Sequence, residues 1–139
     1  MLTNRRKDGR TEGRKVRTRN PRPTCDVLVA IYTVTKSFPK YELYGITSQI
    51  RRAAFSVPAN IAEGACKRGS AEFRRFLDIA LGSFAEVSYA LRFARDVGLL
   101  ETADYERLDV LRVRVGKLTW GLYAALNKNA RSRPSLRSA

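Results

Sequence analysis

Three basic pairs, Arg51–Arg52, Lys67–Arg68 and Arg74–Arg75, lie close together in the chain. Guanidinium and ammonium groups at this density suit phosphate oxygens. They also suit ordinary solvated helix faces, where Arg75 can pair with Glu72 or Asp78. Other chemistry is sparse. The 139 residues contain no histidine. That removes His-dependent acid–base catalysis, Ser-His-Asp and Cys-His nucleophiles, and His-containing metal sites. Cys25 and Cys66 are far apart in sequence, a pattern of buried or inert thiols in a reducing compartment, with a single disulfide as the alternative. No glycine-rich phosphate-binding fingerprint occurs. Glu63, Glu72, Asp78 and Glu86 could meet across a helical bundle, but a bundle carboxylate site also needs Glu-x-x-His pairs. The expectation is a protein that is not an enzyme and holds neither metal nor cofactor.

Charge sharpens the basic reading. The net charge is +14, which favours polyanionic partners. Residues 1–24 carry nine Lys/Arg against two acids, residues 25–128 fifteen against eleven, and residues 129–139 three Arg and no acid. Residues 1–23 have almost no apolar side chains and no periodicity, so they read as a disordered basic arm. Residues 129–139 read as a second basic tail, leaving 24–128 as one domain. No run approaches the roughly 20 apolar residues of a membrane span, and the basic N-terminus lacks the apolar segment of a secretory signal. A cytoplasmic protein without membrane contact is expected. An Arg-rich transit peptide is the alternative, against which Asp8 and Glu12 count.

Four apolar-periodic segments must position these groups. Phe73, Leu77, Ala80, Phe84, Val87, Leu91 and Ala94 are spaced alternately four and three apart, a heptad seam, with Ser70 as cap and Gly98 as stop. Leu108, Leu111, Val115, Leu118, Leu122 and Ala125 repeat the pattern in a helix capped by Thr102, where Gly116 and Gly121 suggest close helix approach. Val27, Ile31, Val34 and Phe38 give a first helix over 26–38, although its β-branched content suits a strand. A second helix runs from about Ser48 to Glu63, capped by Thr47 and stopped by Gly64. Short joins make the whole an all-α, up-down four-helix bundle. Tyr41 and Tyr44, in the first join, are expected to fold back onto it.

Two groups of residues do not fit one seam. Tyr89 and Phe93 lie off it on helix 3, and Trp120 and Tyr123 flank it on helix 4; such extra apolar stripes suit a subunit interface. Pro58 interrupts Ile50, Ala54, Val57 and Ile61. In a helix interior proline removes a hydrogen bond and clashes with the carbonyl a turn earlier, at a cost of about 3 kcal/mol. Either helix 2 continues with a kink, which the unbroken register favours, or a new helix starts with Ser56 as cap. Asn60 is then expected to satisfy local backbone or cross-helix polar groups.

The stretch from Phe38 carries a longer pattern. Phe38-Pro39, then Glu42-x-Tyr44-Gly45-x-Thr47-Ser48-Gln49-Ile50-Arg51-Arg52-Ala53, then Pro58-Ala59-Asn60-Ile61-Ala62-Glu63-Gly64, then Ser70-x-Glu72-Phe73-x-Arg75-Phe76-Leu77 follow in order. This string, within about residues 27–127, resembles the bacterial four-helix-bundle family of 23S rRNA intervening-sequence proteins. The resemblance implies a bundle without known enzymatic activity. It implies a ring-forming homo-oligomer, typically a pentamer, similar to the accessory protein of diversity-generating retroelements. That protein binds nucleic acid and works with a reverse transcriptase. Here CDVLVAIY stands where the family usually has a Trp-containing stretch, and the basic arm lies outside the family motif. Pro58, Asn60, Glu63 and Gly64 form the family's most recognisable box, which reads as an architectural bend.

Overall fold

The computed structural model describes residues 22–131, with the side chain of Ala130 excepted. Nearly all of the basic arm, and the end of the basic tail, lie outside the described residues. Four helices follow in order: α1 Arg22–Thr35, α2 Ile46–Cys66, α3 Ser70–Asp96 and α4 Thr102–Arg131, with a short 3-10 turn at Lys40–Glu42 before α2. Each helix packs on two neighbours: α1 on α2 and α4, and α3 on the same two. Among the described residues neither diagonal pair meets. This is the expected up-down bundle.

In α1, Thr24, Val27, Ile31 and Thr35 are buried, a helical stripe that outweighs the strand preference of its β-branched residues. Thr35 returns its hydroxyl to the Ile31 carbonyl at 2.8 Å, so the buried polar group is satisfied. Phe38 is buried just beyond the helix end.

Helix ends differ from the sequence reading. The α2 N-terminus is not capped by Thr47, which sits buried inside the helix. Instead the Glu42 carboxylate accepts the Ile46 N–H at 3.3 Å, and its charge suits the positive end of the helix dipole. Ser70 is the first residue of α3, after Gly69, and caps nothing with its side chain. Gly98 does end α3. At φ 80° it lets the Leu99 N–H reach the Ala94 carbonyl and its own N–H reach Arg95, at 2.8 and 3.0 Å. These are the two bonds of a Schellman motif, for which glycine is the favoured residue.

Gly64 does not stop α2, which runs on to Cys66. It is a point of close approach: a Cβ there would stand 2.6 Å from Cβ of Phe76 and 2.9 Å from Cδ2 of Phe73. Gly116 similarly faces Phe84, whose Cε1 a Cβ would meet at 3.0 Å, whereas Gly121 has nothing within 4 Å and marks no close contact.

Helix α2 continues through Pro58 as a single element, which excludes a restart at Ser56. Proline supplies no N–H to the Ala54 carbonyl. Two residues on, Asn60 Nδ2 donates to the Ser56 carbonyl at 2.7 Å and to Ser56 Oγ at 2.9 Å. Ser56 Oγ in turn meets Ser83 Oγ of α3 at 2.8 Å. The polar groups around the proline are thus linked to each other and to the next helix.

The core is uneven along the bundle. Helix α1 has 14 residues and α4 has 30. The α1 start, at Pro23 and Asp26, lies level with Leu111 and Val115 of α4. Below that level all four helices enclose one cluster that includes Ile31, Ile50, Ala54, Val87, Leu91, Leu100, Leu108 and Val115. Beyond it, among the described residues, only α2, α3 and α4 continue, burying Phe76, Leu77, Ala80 and Leu122 outside that cluster. Leu118 shows the change. The α4 seam places it one heptad after Leu111, which packs near Ala30 and Val34 of α1. Leu118 lies past the described start of α1; its side chain is 48% exposed, and Thr119 is buried instead.

Candidate functional site

The six basic residues separate into two groups. Arg51–Arg52 and Lys67–Arg68 stand near opposite ends of α2, and a rise of 1.5 Å per residue puts about 22 Å between them. The pairs therefore do not form the single face near the α2–α3 join that their spacing in sequence suggested.

At the α2–α3 join, Lys67 stands 3.9 Å from Glu63, and Arg75 stands 3.4 Å from Glu72; all four side chains are largely exposed. Lys67 and Arg75 also lie near the Phe76 ring, at 5.6 and 4.7 Å. Arg68 is exposed and pairs with no acid among the described residues. Arg74 faces inward. Its Nη1 donates to Asn127 Oδ1 of α4 at 2.7 Å, while its Nε is buried without a partner.

At the other end of α2, Arg51 is half-buried and fixed by α1. Its Nε donates to Thr35 Oγ1 at 2.9 Å, and its guanidinium lies 4.6 Å from the Tyr32 ring centre. Around it runs a groove of about 510 Å³, lined by Tyr32, Leu43, Tyr44, Thr47, Ser48, Arg51, Arg52 and Phe55. Tyr41 and Tyr44 are 80% and 94% exposed, so they do not fold back onto the bundle. The sequence gives little warning of this groove. Tyr44, Ser48, Arg52 and Phe55 do recur at helical spacing, but Tyr44 precedes the helix and Tyr32 comes from another one.

Tyr89 and Phe93 are exposed on α3, and Trp120 is exposed on α4, stacked on Tyr123 with centroids 5.5 Å apart. The two patches lie at different heights. Ser88 meets Arg112 across α3 and α4, which sets Tyr89 more than two turns of α4 away from Trp120.

Catalytic geometry is sparse. Among the described residues no group of three or more His, Cys, Asp or Glu side chains could hold a metal. Cys25 and Cys66 are free and exposed, not buried as expected. Arg95 has a pKa raised by its hydrogen bond to Asp96, and it stacks near Tyr105 to tie α3 to α4. No described helix is long and apolar enough to cross a membrane.

The model of one family, described as 23S rRNA-intervening sequence protein, matches residues 22–121. Among solved structures, the chain is similar to a protein of unknown function from the S23 ribosomal protein family of Bacteroides thetaiotaomicron VPI-5482. The TM-score is 0.67 at 23% identity, over 74% of this chain and 96% of that one. At that identity the likeness concerns the fold. Comparison with curated proteins finds no match.

Proposed function

The chain belongs to the 23S rRNA-intervening sequence protein family, and from that premise we propose a non-enzymatic, homo-oligomeric protein of the cytoplasm that binds nucleic acid. RNA, alone or in an RNA–protein complex, is the ligand class. The observation that carries this reading is the α2–α3 join. Lys67, Arg68 and Arg75 are gathered there with only two exposed acids paired to them. Exposed ion pairs of this kind contribute about 0–1 kcal/mol, so phosphates displace them at little cost. Binding is then mainly electrostatic and weakens steeply with salt. The test is a salt titration of the full chain against a structured RNA, beside the variant R68E/R75E. The expected result is a linear fall of log affinity with log salt and weaker binding by the variant. Binding no tighter than that of a charge-matched unstructured peptide overturns the reading.

A second reading rests on the aromatics. Tyr89, Phe93, Trp120 and Tyr123 suit subunit contacts of a ring, a pentamer by the resemblance described above. They suit equally an oligomeric scaffold for a protein partner such as a reverse transcriptase, with no nucleic-acid role. Light scattering tests the ring: a clean monomer at micromolar concentration refutes it.

A further inference from the structure

We propose that the groove beside Arg51 and Arg52 takes an unpaired nucleotide of a single-stranded nucleic acid, with its phosphate on the two guanidinium groups and its base against Tyr44 and Phe55. The inference rests on the nucleic-acid reading above and assigns it a second, chemically different site, about 22 Å along α2 from the basic join.

Three observations converge on this ligand. First, the lining holds two guanidinium groups and no acid. The carboxylate of Glu42, two residues before Tyr44, is engaged by the Ile46 N–H. Second, Arg51 is held in place: its Nε is committed to Thr35 and its plane lies near Tyr32, which leaves its Nη groups for an anion at little further entropic cost. Third, Tyr32, Leu43, Tyr44 and Phe55 are all large apolar side chains left exposed at this one corner. Aromatic faces at the mouth of a basic groove are the usual platform for unstacked bases.

An unpaired nucleotide satisfies all three features, because it brings an anion and a flat apolar face together. A duplex does not, since its bases are stacked away from the protein. The volume, about 510 Å³, lies within the range of small-ligand sites. The exposed walls at Tyr44 and Phe55 leave room for the strand to continue past the bound unit.

The experiment measures binding of the full chain to a short labelled polyuridine strand and to an RNA duplex of the same length. The chain is compared with Y44A/F55A, whose substituted side chains are exposed and carry little of the fold. The expected result is that the variant loses about tenfold or more for the single strand, since stacking is worth roughly 1–3 kcal/mol per base, and less than about twofold for the duplex. Uridine monophosphate serves as competitor: a free nucleotide that displaces the strand at micromolar concentration makes the groove a mononucleotide site and overturns the assignment to a strand. Equal loss for strand and duplex, or no loss, overturns the inference while leaving the basic-join reading standing. A variant that falls apart in light scattering makes the groove a subunit interface and overturns it too. No binding of either RNA overturns both readings.

Discussion

The two halves of the bundle are built from the same helices and differ in one respect, the presence of α1. In the half that α1 covers, each of α2, α3 and α4 buries its seam within one cluster of thirteen buried side chains. In the other half, among the described residues, three helices share the work: Leu118 is turned out to solvent, Thr119 is buried, and Gly64 takes the close approach to Phe73 and Phe76. The comparison teaches that an apolar periodicity specifies burial only where a neighbour exists to bury it. The basic join lies at the three-helix end and the aromatic groove at the four-helix end. The half with four helices thus holds the shaped site, and the half with three holds the diffuse electrostatic one.

A matched pair of cavities tests that difference most severely. Leu91 and Leu77 are 1% and 0% exposed, one in each half. Leu91→Ala is expected to cost about 3–5 kcal/mol, and Leu77→Ala about 2–3 kcal/mol, because neighbours near an open flank relax into the void more readily. Equal losses in urea unfolding would erase the distinction. The next effect is smaller. Gly64→Ala adds a methyl group where Phe76 and Phe73 leave none, and the strain outweighs the better helix propensity of alanine, for a net loss of about 1–2 kcal/mol. A more stable variant would mean that α2 and α3 separate there freely.

Weaker still is the polar chain beside Pro58. Asn60→Ala leaves the Ser56–Ser83 contact without its third member and is expected to cost about 1 kcal/mol. Amide hydrogen exchange should show the faster opening around residues 56–60. The smallest effect on folding belongs to Arg68→Glu, within about 0.5 kcal/mol, since the side chain is exposed and unpaired. Its consequence should appear only as weaker RNA binding and a shallower salt dependence.

The bundle and its order were legible in the residues, because the α3 seam from Phe73 to Ala94 and the glycine stop at Gly98 are local signals. Several misreadings involve partners outside the segment that was read. Gly64 looks like a stop when only its own chain is considered; what defines it is the Phe73 and Phe76 rings of another helix. Thr47 has the right chemistry for a cap, but the Glu42 turn supplies a carboxylate first. Leu118 keeps its heptad place, but α1 is too short to reach it. The basic pairs were identifiable by type, yet sequence proximity placed them on one face, and the length of α2 separates them. The groove needed the Lys40–Glu42 turn to hold Tyr44 outside the bundle, and no periodicity reports that.

The shortness of α1 also matters for timing. Of the four helix pairs that pack, α1–α4 alone joins elements that are not consecutive in the chain. During synthesis α1 emerges first, while its second partner starts nearly 70 residues later. At about 5–20 residues per second, that is a wait of several seconds with Ile31 and Val27 lacking half of their eventual surroundings. Among themselves, α2, α3 and α4 pair only in chain order and can assemble as they appear. The first helix made is therefore the last one closed, and the interval belongs to whichever chaperone or neighbouring nascent chain reaches it first.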